Sequence, residues 1–112
     1  MTPKDVVKLL SNYEGKWAVA GGWAIDLFLG KQTRPHQDIE IAIPRKEQAR
    51  LRAYLSDWEI RYVSQGKFYN WPQDEYLNLP VHELHAKNTE GQGLEILLIE
   101  FDGPLWRFRR ML

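Results

Sequence analysis

The sequence predicts a small α/β or α+β domain in which a mixed β-sheet carries helices on one face. Its 112 residues provide one hydrophobic core and leave no room for a second, so we expect residues 1–112 to form a single domain. Hydrophobic residues make up 44% and charged residues 27%, which is typical of a folded chain rather than a disordered one. Helical and strand-like spacings of apolar residues then follow each other in the order α-β-α-β-α-β-β-β.

The first predicted helix begins at Thr2, whose hydroxyl suits an N-cap, with Pro3 in its first turn. Asp5 lies near the positive end of the helix dipole, and Gly15 is expected to end the helix. The apolar residues that share one helical face are Val6, Val7, Leu10 and Tyr13.

A strand–glycine–helix unit comes next. Residues 16–20 form a short apolar run that predicts a buried strand, and Gly21-Gly22 breaks it. Residues 23–29 are apolar on nearly every side, which predicts a short buried helix.

The following strand covers residues 38–43, where acidic or small side chains alternate with isoleucines. One face carries Asp38, Glu40 and Ala42, and the other carries Ile39, Ile41 and Ile43. Pro44 is expected to open a third helix, whose apolar residues at helical spacing are Leu51, Tyr54, Leu55 and Trp58.

Three strands separated by turns are predicted for the rest of the chain. They cover residues 60–63, 79–87 and 94–101. The segments between and after them are an aromatic-rich loop over 65–78, a hairpin-like connection over 88–93 and a turn over 102–104.

Charge and composition exclude several classes of function. Fifteen Lys and Arg balance fifteen Asp and Glu, so the chain lacks the basic excess of a strong nucleic-acid binder. The absence of cysteine excludes disulfide frameworks, thiolate zinc sites and cysteine nucleophiles. The sequence contains neither a signal peptide at its start nor an apolar run of the ~20 residues that a membrane helix needs. We therefore expect a cytoplasmic protein with no membrane partner.

The acidic doublet is the most informative local feature. Strand geometry places Asp38 and Glu40 on one face with Cα atoms ~6.5 to 7 Å apart. Two such carboxylates repel and raise each other's pKa unless a cation lies between them, and paired oxygen ligands on a strand suit Mg²⁺. The alternative interpretation is a solvated strand face that happens to carry two acids.

A third carboxylate and a pair of glycines extend this pattern. Glu95 interrupts an apolar strand, where an ionised acid is costly without a partner, and with the doublet it would complete a two-metal site. The alternative is a solvated position for Glu95 on a sheet edge or near the strand end. Glu100 competes with Glu95 but lies on the opposite strand face. Gly21-Gly22, between a strand and a helix start, would let phosphates approach the backbone; a simple tight turn is the alternative.

Several further side chains have two interpretations. Lys31 and Arg34, in the loop before the doublet, are candidates for contacting the β- and γ-phosphates, or are ordinary solvated charges. His82 and His85 are three apart on a predicted strand, so they face opposite sides and are interpreted as structural. Three aromatic side chains either stack on a base or belong to the core: Phe68, Tyr69 and Trp71.

Two segments resemble a known family. Gly-Gly-Trp-Ala-Ile-Asp at 21–26 and Arg-Pro-His-Gln-Asp-Ile-Glu at 34–40 are similar to the signature of the polymerase-β-type nucleotidyltransferase superfamily. Within it, the closest likeness is to the aminoglycoside 2″-adenylyltransferase and lincosamide nucleotidyltransferase group, over about residues 16 to 110. The resemblance implies transfer of a nucleoside monophosphate, AMP by preference, from a nucleoside triphosphate such as ATP to a hydroxyl of a small molecule such as those antibiotics.

The resemblance also implies roles for individual residues. Asp38, Glu40 and Glu95 would hold two Mg²⁺ ions, and Gly21 and Gly22 would contact the triphosphate. The two glutamates stand where aspartate is frequent in the superfamily. Lys31 and Arg34 keep their candidate role at the phosphates.

Relatives in this group continue with a helical segment that helps to form the acceptor pocket, and the 112 residues do not contain it. Three explanations stand: a homodimer that supplies the acceptor wall, an antitoxin-like minimal nucleotidyltransferase that acts on a protein partner, or a catalytically inactive module that binds nucleotide or regulates.

Overall fold

A computed structural model describes residues 1–21, 39–102 and 105–106. The predicted helix over residues 23–29 lies outside this part of the chain.

The N-terminal helix α1, Pro3–Leu9, begins as predicted and ends earlier. The Thr2 hydroxyl accepts from the Asp5 backbone N–H, and the Asp5 carboxylate accepts from the Thr2 N–H, which completes a capping box. The prediction that the helix continues to Gly15 was wrong. Ser and Asn at positions 11 and 12 favour turns over helix interiors, because their side chains compete for backbone hydrogen bonds.

A second described helix, α2, covers Gln48–Tyr54 and follows a 3₁₀ turn at Arg45–Glu47. Pro44, predicted to open this helix, instead ends the preceding strand with φ −61° and ψ 136°, which is extended backbone. The proline ring fixes φ at a value that both helices and strands allow, and it does not fix ψ. Proline alone therefore could not show whether residue 44 ends the strand or starts the helix.

The eight described strands are β1 Ala18–Ala20, β2 Ile39–Pro44, β3 Glu59–Ser64, β4 Lys67–Asn70, β5 Glu83–Lys87, β6 Gly93–Ile99, β7 Phe101–Asp102 and β8 Leu105–Trp106. The first six form one sheet in the order β1-β2-β6-β5-β3-β4. Only the β2–β6 pairing is parallel among them, so the predicted mixed sheet is confirmed. Strands β7 and β8 form a separate antiparallel pair.

Strand β4 lies inside the segment predicted to be a loop, and that prediction was wrong. Gln65 and Gly66 both have positive φ, 52° and 76°, which gives the two-residue turn whose twist suits a hairpin. Strand β5 also starts four residues later than predicted, because Pro80 has no N–H to donate to a sheet ladder.

The hydrophobic core fills the space between one face of the sheet and both described helices. Ile39, Ile41 and Ile43 are completely buried, as the alternation in β2 predicted. They pack in one cluster with Val6 of α1 and Leu51 of α2. The opposite face carries a smaller apolar cluster, Ala20, Ala42, Leu97 and Ile99, and beside it a row of polar side chains.

Two buried polar side chains tie the loop after β4 to the start of α2. The Gln48 amide donates to the carbonyls of Arg45 and Leu77 and accepts from the Leu77 N–H at 2.7 Å. Arg45 donates to the same Leu77 carbonyl and to Glu100. Within the described ranges, neither helix is long or apolar enough to cross a membrane.

Candidate functional site

A row of polar side chains crosses the sheet face opposite to α1 and α2, the two described helices. The strand register aligns Glu40 with Glu95, Glu95 with His85, and His85 with Arg61. Side chains at aligned positions of neighbouring strands point to the same face, so these four side chains lie side by side. The row runs from β2 through β6 and β5 to β3.

Glu40 and Glu95 form the acid pair at the centre of this row. They are direct neighbours across the parallel β2–β6 pairing, and their carboxyl groups share a hydrogen bond. The pKa of Glu95 is raised to about 7, first by burial and then by the hydrogen bond with Glu40 and the negative charge of Glu40, while His85 opposes the rise. A proton is therefore held where two carboxylates would otherwise repel each other.

Gly21 lies against the acid pair. It directly follows β1, where Ala20 is aligned with Glu40, and it has φ +66°, a conformation that side chains disfavour. A Cβ added at Gly21 would lie 2.9 Å from the carboxyl carbon of Glu40. Glycine thus keeps open the space directly beside one carboxylate.

The structure describes only part of the set of site residues that the sequence predicted. Asp38, Gly22, Lys31 and Arg34 lie outside the described residues. Glu100, the competitor of Glu95, forms a 2.8 Å ion pair with Arg45 instead.

His85 was predicted to be structural, and its part in this row was missed. Its Nε2 lies 2.6 Å from a Glu83 oxygen, and its Nδ1 lies 3.5 Å from a Glu95 oxygen. The ring of Phe68 packs edge-on against the imidazole, with centroids 5.1 Å apart. The local signal was the spacing of Glu83 and His85, two residues apart and hence on one strand face. The link to Glu95 depends on the strand register, which the sequence did not give.

Three aromatic side chains, predicted either to stack on a base or to belong to the core, occupy different environments in the structure. Trp71 is buried in the core, where its indole N–H donates to the Glu75 carbonyl. Phe68 and Tyr69 are exposed on β4, and Tyr69 stacks on Tyr62. Phe68 alone of the three lines the groove beside the acid pair.

That groove has a volume of about 530 Å³ and opens next to Glu95. Its polar lining mixes both signs of charge, with Glu59 and Arg61 joined by a 2.6 Å ion pair. The residues that line it are Glu59, Arg61, Phe68, His85, Ala86, Lys87, Gly91, Gly93, Leu94 and Glu95. Its size suits a small organic molecule rather than a single ion.

Comparison with known proteins gives one family. The family model described as aminoglycoside-2″-adenylyltransferase matches residues 4–95. A 37-residue stretch, 33% of this chain, is 46% identical to a 2″-aminoglycoside nucleotidyltransferase from Escherichia coli and to one from Klebsiella pneumoniae, and covers 21% of each.

Two solved structures share the fold. The lincosamide antibiotic adenylyltransferase LnuA, solved with lincomycin, superposes with a TM-score of 0.61 at 23% identity, over 92% of this chain and 59% of that one. ANT(2″)-Ia, solved with adenylyl-2″-tobramycin, gives 0.62 at 19% identity, over 95% and 52%. The chain thus spans between half and three fifths of these solved relatives and about a fifth of the matched nucleotidyltransferases.

Proposed function

The chain belongs to the aminoglycoside-2″-adenylyltransferase family, and on that premise we propose that it is a nucleotidyltransferase domain. It would transfer AMP from ATP to a hydroxyl of an aminoglycoside- or lincosamide-like acceptor in the presence of Mg²⁺. The observation that carries this proposal is the acid pair, Glu40 beside Glu95, next to the clearance that Gly21 leaves.

The residues present fit a hard divalent cation. The acid pair offers carboxylate oxygens, which Mg²⁺ prefers, and the proton that Glu95 retains occupies a place where a cation would relieve the same repulsion. Glu40 and Glu95, with Asp38, would hold Mg²⁺, and Mg²⁺ would neutralise phosphate charge during transfer.

The chain's own groups supply positioning and proton transfer. Glu95, next to Glu40 in the acid pair, would be placed to accept the proton of an acceptor hydroxyl. The backbone at Gly21 and Gly22 is proposed to contact the triphosphate, with Lys31 and Arg34 at its β- and γ-phosphates. The groove beside Glu95 would hold the acceptor, so that its hydroxyl reaches the acid pair.

Transfer from α-³²P-labelled ATP tests the proposal. The full chain is incubated with Mg²⁺ and a panel that includes tobramycin and lincomycin, and labelled antibiotic is resolved from ATP. We expect a labelled product that Glu40→Gln and Asp38→Asn abolish. The matched control is Glu90→Gln, which removes the same charge from an exposed turn and should leave transfer unchanged.

Binding is measured beside transfer. We expect Mg²⁺-ATP to raise the melting temperature of the wild type, because a ligand that binds only the native state stabilises it. A flat thermal-shift titration to millimolar nucleotide, together with no labelled product, would contradict the proposed function. A shift without product would favour a module that binds nucleotide without catalysis.

A further inference from the structure

The imidazole of His85 lies between two carboxylates and uses its nitrogens differently. Nε2 is 2.6 Å from the Glu83 carboxylate, and because a carboxylate accepts hydrogen bonds, this contact places the ring proton on Nε2. Nδ1 then carries the lone pair of the ring, and the nearest Glu95 oxygen lies 3.5 Å from it.

That separation matches two ligands of one cation. Metal–nitrogen and metal–oxygen bonds of about 2.1 Å at a tetrahedral angle hold their ligand atoms about 3.4 Å apart. A histidine that ligates a metal through one nitrogen usually donates from the other to a carboxylate, which is the role that Glu83 fills. Glu83, His85 and Glu95 each offer a ligand atom within 4.8 Å of the others.

We propose that His85 Nδ1 and Glu95 bind a divalent cation that accepts imidazole, such as Mn²⁺, Co²⁺ or Zn²⁺, with Glu83 fixing the imidazole from behind. This site rests on the proposed function only to the extent that both use Glu95 as a metal ligand. Mg²⁺ favours oxygen ligands, whereas imidazole suits the later divalent metals, so the imidazole would give this site a stronger preference for those metals than carboxylates alone provide.

The surroundings support a rigid site with access from solvent. The register that aligns His85 with Glu95 fixes both backbones, and the ring of Phe68 packs against the imidazole at an interplanar angle of 80°. The side chains of His85, Glu83 and Glu95 are half-buried, with 21 to 31% of their surface exposed, and His85 and Glu95 line the groove.

Co²⁺ alone is the probe, because its visible absorption reports the ligands and its binding needs no turnover. The full chain, stripped of metal, is titrated with Co²⁺ and separately with Mg²⁺ by calorimetry. We expect one Co²⁺ site with a Kd at least tenfold below that for Mg²⁺, and His85→Gln to raise the Co²⁺ Kd at least tenfold. Glu83→Gln should raise it by about tenfold, the usual effect of removing the carboxylate behind a ligating histidine.

His82→Gln is the matched control. His82 contacts the Pro80 carbonyl through Nδ1 and has no part in the cluster, so its loss should leave Co²⁺ binding unchanged. Circular dichroism verifies that each variant is folded. If His85→Gln unfolds, the Co²⁺ Kd of Glu83→Gln tests the proposal in its place. Wild-type Co²⁺ binding no tighter than that of Mg²⁺, or equal binding by a folded His85→Gln, would overturn the proposal.

Failure here is separable from failure of the proposed function. Labelled transfer that Glu40→Gln abolishes supports the function whatever the Co²⁺ titration shows. A histidine-dependent Co²⁺ site in a chain that transfers no label would support the metal site alone.

Discussion

Replacing Glu95 by Gln should make the metal-free protein more stable at high pH and leave its stability unchanged at low pH. The carboxyl of Glu95 has a pKa of about 7 in the folded protein, against 4.5 for an ordinary glutamate. The folded state therefore holds this proton more tightly than the unfolded state does. The stabilisation is fully present below pH 4.5 and is lost as the pH rises through about 7.

The magnitude follows from the two pKa values. The difference between them corresponds to about 3.4 kcal/mol at 1.36 kcal/mol for each tenfold change in proton affinity. The Glu95 side chain keeps 21% of its surface in contact with solvent, which screens part of the interaction, and we reduce the expectation to about 2 kcal/mol. Glutamine carries no charge at any pH, so the Glu95→Gln variant should not lose this stability as the pH rises.

Urea denaturation from pH 4 to pH 8, with EDTA present, measures the effect. The free energy of unfolding of the wild type should fall by about 2 kcal/mol more than that of Glu95→Gln over this range. The control is Glu90→Gln, whose curve should parallel that of the wild type. Parallel curves for wild type and Glu95→Gln would refute the description of the acid pair as two carboxyls that share a proton.

Three shorter predictions concern the backbone and the core. Gly21→Ala should cost more stability than Gly91→Ala by at least 1 kcal/mol in urea denaturation, because both have positive φ but only the first would clash with a carboxyl group; equal costs would contradict the clearance argument. Gln48→Ala should destabilise by about 2 to 3 kcal/mol, since it leaves both backbone groups of Leu77 without this amide, and a loss below 0.5 kcal/mol would count against that. Tyr13→Phe should be neutral or stabilising by thermal melting, because the buried hydroxyl has no hydrogen-bond partner among the described residues, and burial raises its pKa to about 12; a marked loss would reveal a partner.

Patterns within a single element could be predicted from the sequence with good accuracy. The alternation in β2 correctly separated its buried isoleucines from Glu40, because strand geometry alone decides which face a side chain takes. The capping residues of α1 likewise depend only on neighbours in the chain. The hairpin turn at Gln65 was missed because a non-glycine residue rarely adopts positive φ, so the local sequence did not predict a tight turn there.

Relations between elements were less predictable. Glu95 and Glu100 are five residues apart, so strand alternation placed their side chains on opposite faces. Alternation could not predict which of the two faces would also carry Glu40. The parallel β2–β6 register decides that, and it results from packing of the whole sheet. His85 was interpreted as structural for the same reason. Only the residues of its own strand could be considered, and its carboxylate neighbour Glu95 lies on the adjacent strand.

The parallel pairing of β2 with β6 has a consequence for the order of events during folding. Parallel neighbours cannot be joined by a short turn. The chain segment that connects β2 to β6 contains β3, β4 and β5. Contacts between such distant segments form slowly, since a long loop must close first. Glu40 and Glu95 therefore meet only once the central pairing exists, and before that the proposed Mg²⁺ site is incomplete. Added Mg²⁺ should slow unfolding of the native state and leave the refolding rate almost unchanged.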